Sequence, residues 1–237
     1  MKKLFRNLDQ IKKVMHPDDW WTEFFVRPFS LRFVALIQDT RITPNQITMV
    51  SFICLLAGCL GILTGNHAGY ILAAILLHIS YVLDVADGLL ARYKRQFSPF
   101  GGWMDGISDR IGEFLIIFCL TLQLGPVSVK TLFIGMFAVF LLAMYHGFIN
   151  KNIPAIPQTM KGSHKSDQLG YINKIRQKIK FGFFNLGEQF FLYTLFLCLN
   201  KINLFFVVFI LYGTVSLTSF SLFSYIRYYK HKVQDTK

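Results

Sequence analysis

Six stretches of this chain are apolar over nearly the length needed to cross a lipid bilayer, and this restricts its fold more than any other feature. They lie at roughly 46–64, 70–91, 105–124, 131–148, 182–199 and 203–226. A hydrocarbon core of about 30 Å takes about 20 helical residues. The expectation is an all-α integral membrane protein with six transmembrane helices. Composition agrees: of 237 residues 53% are hydrophobic, 25 are Phe and only 16% are charged, more apolar than a soluble domain of this size needs.

The links between these stretches differ by side. Those near 65–69, 125–130 and 200–202 are short and hold turn formers such as Gly65, Asn66, Gly125, Pro126 and Asn200. The others are longer and basic. Residues 1–45 hold eight Lys or Arg, 92–97 three, 149–181 seven and 227–237 four, against Lys130 and Lys201 alone on the opposite side. The positive-inside bias then places both termini in the cytoplasm, with 92–104 and 149–181, across a bacterial or archaeal cytoplasmic membrane. The net charge of +12 is spread between apolar blocks, so its expected partner is the anionic bilayer face and acidic substrates, and nucleic acid is excluded.

Three regions follow. Residues 1–45 are a cytoplasmic N-terminus, 46–226 a six-helix catalytic domain, and 227–237 a cytoplasmic tail. Within the first, the run from Asp18 to Arg41 mixes aromatic and aliphatic residues with Arg27, Arg32 and Arg41, which predicts an amphipathic helix along the cytoplasmic interface, kinked or started by Pro28. A pre-helix packed on the bundle is the plainer alternative. The first residues lack the apolar core and cleavage site of a signal peptide. Cys54, Cys59, Cys119 and Cys198 all fall in apolar stretches and are read as small buried hydrophobes. A short basic helix is expected near 171–181.

Four carboxylates stand where a membrane should forbid them. Asp84 and Asp87 lie at the cytoplasmic end of the second stretch, and Asp105 and Asp109 open the third. Intramembrane acids are costly and mark functional sites. Spacings of three and four put each pair on one helical face, so two antiparallel helices can aim all four at one volume. Their mutual repulsion calls for cations, and oxygen ligands suit Mg²⁺, Mn²⁺ or Ca²⁺, while no Cys/His set for zinc exists. Mg²⁺ completes its shell with water and phosphate oxygens, so a phosphate-bearing substrate follows. Gly88, Ala91 and Gly101 would let a substrate approach the backbone, and Arg92 adds a planar cation. Taken singly, each small residue reads as helix packing and Arg92 as an interfacial side chain.

Together these residues spell Asp84-x2-Asp87-Gly88-x2-Ala91-Arg92-x8-Gly101-x3-Asp105-x3-Asp109. The pattern resembles, with no position missing, the signature of the CDP-alcohol phosphotransferase family. Eight fixed positions coincide by accident about once in 10¹⁰ starts at ordinary residue frequencies. Thr43-Pro44-Asn45-Gln46-Ile47-Thr48, ahead of the first span, is similar to the family's usual lead-in. The resemblance covers roughly residues 20–226. It implies an alcohol hydroxyl attacking the phosphorus of a CDP-linked alcohol to form a phosphodiester and release CMP. It further implies two Mg²⁺ or Mn²⁺ ions on Asp84, Asp87, Asp105 and Asp109, with Asp109 a ligand or the general base. Asn45, Thr48, Gly88, Ala91, Arg92 and Gly101 would line the CDP site. A CDP-diacylglycerol donor and a homodimer are expected on the same ground.

Met104-Asp105-Gly106-Ile107-Ser108-Asp109-Arg110 resembles the inositol or polyol-phosphate members more than the glycerophosphate type. For a phosphorylated acceptor the candidate contacts are Arg110, ranked first, Lys151, Lys161, His164, Lys165 and Arg176, with Glu188 for polyol hydroxyls; the Lys and His of 149–181 read more readily as lipid-headgroup contacts. Arg110 could equally pair with Asp109 or Glu113; Asn185, Glu188 and Gln189 could equally serve helix packing, and His78 and His146 read as bundle hydrogen-bonders. Two rival functions remain: an inactive membrane scaffold, which the intact motif opposes, and a divalent-cation transporter, which the lack of polar residues in the outer halves of the second and third spans opposes.

Overall fold

The computed structural model describes residues 11, 18–151 and 184–234. The first feature it resolves is the consequence of Pro28. Thr22–Val26 forms a π-helical turn in which the Arg27 N–H bonds back to the Thr22 carbonyl, and it runs directly into helix α1, Arg27–Ile37. Proline's ring collides with the carbonyl four residues earlier in a regular helix, and the wider turn removes that conflict. The buried face of α1 holds Ser30, Val34 and Ala35, with the Ser30 hydroxyl donating to the Val82 carbonyl at 2.8 Å. Its other face exposes Phe29 and Leu36, continuing from the exposed Phe25 of the π-turn.

Helix α2, Pro44–Leu63, begins in a capping box that accounts for the Thr43-Pro44-Asn45-Gln46 lead-in. Thr43 Oγ1 accepts from the Gln46 N–H, Gln46 Oε1 accepts from the Thr43 N–H, and Pro44 takes the first position, where no donor is needed. Helix α3, His67–Lys94, is capped by Asn66 and ends at Arg95 in the left-handed region, φ 54°. Lys94 then donates to the carbonyls of Thr40 and Ile42 and ties this end to the lead-in of α2. The two helices touch through small residues: a Cβ on Gly61 would lie 3.0 Å from the Gly69 carbonyl oxygen and 3.1 Å from the Ala73 side chain. Close backbone approach of this kind replaces the hydrophobic drive that lipid cannot supply.

Helix α4 spans Pro99–Leu122, α5 Val129–Lys151, α6 Leu186–Cys198 and α7 Ile202–Gln234. Rings hold the α6–α7 side together. Phe184 meets Phe209 at 4.7 Å between centroids, Tyr81 stacks on Phe190 at 4.5 Å, and Tyr193 fills the space beside Phe205 and Phe209. Such ring pairs contribute about 1 kcal/mol each beyond their buried area.

The fold is all-helical, with no strand among the described residues. Its helix bounds differ from the expected spans chiefly in three places, the last helix running on past 226 to Gln234, into the expected tail. The third helix starts at Pro99, capped by Ser98, so Asp105 and Asp109 sit in its second and third turns instead of opening it. The fifth is only 13 residues, about 20 Å at the usual helical rise. Four helices are long and apolar enough to cross a membrane, Pro44–Leu63, His67–Lys94, Val129–His146 and Ile202–Ser219, and they make this a membrane protein. The third helix falls short because it carries Asp105, Asp109, Arg110 and Glu113, and the fifth because it is short. The expected basic helix at 171–181, with Lys161, His164, Lys165 and Arg176, lies outside the described residues.

Candidate active site

Asp84 and Asp87 ride on α3, one turn apart, and Asp105 and Asp109 on α4. One carboxylate oxygen each from Asp84, Asp105 and Asp109 lie within 4.8 Å of one another. Asp87 stands beside this trio. It is 6% exposed and accepts a 2.5 Å hydrogen bond from the Thr48 hydroxyl of α2. Oxygen ligands alone, crowded in a mostly apolar bundle, fit a hard divalent cation. Asp84, Asp105 and Asp109 could hold one, with Asp87 at their edge.

Two cavities border this cluster and share Thr48 as a wall. One is lined by Asn45, Thr48, Asp87, Gly88, Ala91, Arg92, Gly101 and Asp105, together with Pro44, Gln96, Phe97, Ser98 and Gly102. All the residues expected around a CDP group therefore border a single space. Arg92 lies against Gly88, and its Nε is buried without a hydrogen-bond partner among the described residues. The other cavity lies on the Asp84 and Asp109 side. Its walls are Thr48, Ser51, Ser80, Tyr81, Ser108 and Glu113, closed by Phe52, Leu55, Leu186 and Phe190.

The expected acceptor contacts are scattered. Arg110 bonds Glu113 through Nη1 at 2.9 Å and faces Asp109 at 3.8 Å, and its side chain is 44% exposed. Glu188 is buried, capping its own helix through the Asn185 N–H and accepting from the Tyr212 hydroxyl at 2.7 Å. Lys151 ends α5. His78 bonds Thr194, and His146 bonds Glu113.

Sequence reading missed Ser98, which caps α4 through the Gly101 N–H, and the hydroxyls of Ser51, Ser80, Tyr81 and Ser108. Nothing in spacing marks these, because Ser and Tyr are ordinary in membrane helices. Glu113 carried a usable signal: it is a fifth acid in the apolar stretches, one turn beyond Asp109 on the same face.

Residues 41–218 match the model of the CDP-alcohol phosphatidyltransferase family, and the chain belongs to that family. It is 31% identical over 194 residues to the Archaeoglobus fulgidus protein named bifunctional IPC transferase and DIPP synthase, a match covering 81% of this chain and 35% of that one. The archaetidylinositol phosphate synthase of Pyrococcus horikoshii is 38% identical over 81 residues, 34% of this chain and 42% of the relative. That of Methanothermobacter thermautotrophicus is 34% identical over 96 residues, 40% and 48%. The chain thus spans less than half the length of each of these three relatives.

Proposed function

We propose that this protein transfers a phosphoalcohol group from a CDP-linked lipid alcohol to a polyol-phosphate acceptor in phospholipid synthesis. The acceptor hydroxyl oxygen forms the new P–O bond, the bond to CMP breaks, and one proton is released. The observation that carries this reading is the Asp84–Asp105–Asp109 trio bordered by two cavities, one of them lined by every CDP-site residue of the motif. With the donor in one and the acceptor in the other, phosphorus and attacking oxygen would lie on either side of one charge-stabilising centre.

In this reading Asp84, Asp87, Asp105 and Asp109 hold two divalent cations, Mg²⁺ or Mn²⁺. Bound there, such ions would offset negative charge on the attacking and leaving oxygens. Thr48 orients Asp87 through its hydrogen bond. Gly88, Ala91 and Gly101 leave room for the nucleotide, Asn45 and Arg92 bind its polar groups, and Asp109 takes the acceptor's proton from the second cavity. A base must lie within hydrogen-bond reach of that proton. Arg110 is the nearest described cation for an acceptor phosphate, and Lys151, Arg176 and Glu188 complete the candidate set. CDP-diacylglycerol is the proposed donor. The polyol-phosphate assignment draws on the residues around Asp109 and on the names of two relatives.

The reading includes six spans, with α4 and α6 crossing alongside the four apolar helices, and α1 lying in the cytoplasmic interface with the Phe25, Phe29 and Leu36 face toward lipid. Both termini and the acid cluster face the cytoplasm, residues 46–226 form the catalytic domain, and the protein is a homodimer. The test is CMP release by purified protein with Mg²⁺ or Mn²⁺, CDP-diacylglycerol, and inositol phosphate, glycerol phosphate, inositol or serine, using Asp105→Asn as the blank. CMP that depends on inositol phosphate is expected. CMP at the blank level with every acceptor and both metals overturns the reading.

A further inference from the structure

Glu113 is 5% exposed, and both of its carboxylate oxygens are engaged by groups of different helices. Oε2 accepts from Arg110 Nη1 at 2.9 Å, and Oε1 is 3.1 Å from Nε2 of His146 on α5. Arg110 meanwhile stands 3.8 Å from Asp109 Oδ2, beyond hydrogen-bonding distance. Spacing three residues apart on one helix favours the Arg110–Glu113 pair, whereas adjacent side chains diverge. The short charge-assisted contact accordingly goes to the buried acid one turn on, and the half-buried Asp109 is left with the long one.

We propose that Glu113, steadied by His146, is a positioning residue that holds Arg110 off Asp109 and so keeps the Asp109 carboxylate free for a divalent cation. The inference rests on the reading of Asp109 as a metal ligand. Without the Glu113 charge, Asp109 is the nearest acid to the guanidinium. Closing the gap by about 1 Å would pair the two with hydrogen-bond geometry. A cation would then have to displace Arg110 before binding. His146 matters because it fixes the second oxygen, so that the carboxylate cannot turn toward solvent and take the arginine with it.

The experiment measures Mn²⁺ binding to the full chain in lipid nanodiscs, without substrate, from the electron paramagnetic resonance signal of free Mn²⁺. Glu113→Gln is expected to weaken binding about tenfold, the size of effect that loss of one charge-assisted contact produces. Removing the arginine as well, in Glu113→Gln/Arg110→Gln, should restore binding to within about twofold of Arg110→Gln alone, a rescue that a misfolded protein cannot show. His146→Gln, which keeps a donor near the Nε2 position, should bind as wild type does, and His146→Leu should weaken binding in the direction of Glu113→Gln. Wild-type affinity in Glu113→Gln, or a double variant as weak as the single, overturns the proposal. Undiminished binding by Asp109→Asn would instead bring down the metal reading itself, and the positioning role with it.

Discussion

Gly88 and Gly101 occupy equivalent-looking places in the motif for two different physical reasons. A Cβ on Gly101 would come within 2.7 Å of Asn45 Oδ1 and 2.8 Å of Ser98 Oγ, so even alanine displaces a cavity wall and the cap of α4. On Gly88 the same atom would rest 3.5 Å from the Arg92 guanidinium, an ordinary contact. Gly101→Ala should therefore lower both the melting temperature in detergent and the donor affinity. Gly88→Ala should melt as wild type does while raising the donor KM about tenfold, because it narrows the cavity proposed for the nucleotide. A Gly88→Ala variant with unchanged donor KM would move the nucleotide elsewhere. The motif's residues were legible in the sequence because carboxylates inside apolar stretches demand an explanation. The Glu113–His146 contact was not, since its members lie 33 residues apart and only the packing of α5 on α4 brings them together.

At the scale of helices, α4 approaches α2 through Gly112, where an added Cβ would lie 2.5 Å from Leu55 Cδ1. Gly112 falls three and seven residues after Asp109 and Asp105, on the same face. The separation of these helices thus also sets how far the two carboxylates reach. Gly112→Val should cost about 2 kcal/mol through overpacking, visible as a lower melting temperature, and reduce CMP release more than stability alone accounts for. Normal turnover in a clearly destabilised Gly112→Val would separate the packing from the site. Apolar length located the helices but not their ends. The Ser98-Pro99 start of α4 lies in a stretch with Arg95, Gln96 and two further glycines nearby, which reads as loop until the Ser98 cap is seen. Pro28 stands in the first turn of α1, as one of the two expectations for it had it, but the π-turn ahead of it is not legible, because sequence marks the missing donor and not how the chain absorbs it.

For the molecule in its membrane, the basic segments argue for one orientation. In a Cys54→Ser/Cys198→Ser background, a cysteine placed at Ser128 should react with an impermeant maleimide from outside intact cells, and one at Gln96 only after lysis. The opposite labelling pattern would reverse the proposed orientation and put the carboxylates on the wrong side for a cytoplasmic nucleotide. The start of α3 and the end of α6 are level, since His67 Nε2 meets the Cys198 carbonyl oxygen at 2.9 Å. Helix α6 has less than half the residues of α3, so it starts part-way along its neighbour, where Phe190 stacks on Tyr81 and Leu186 borders the second cavity. Asp19, hydrogen-bonded to Thr22, sits directly over Gly187 at that point. In the proposed six-span arrangement, a wall of about 20 Å set in a bilayer core of about 30 Å would oblige the lipid to thin along that flank. The headgroup layer would then dip toward the carboxylates beside α6, and the proposed charged acceptor would arrive from water at the depth of the proposed lipid donor.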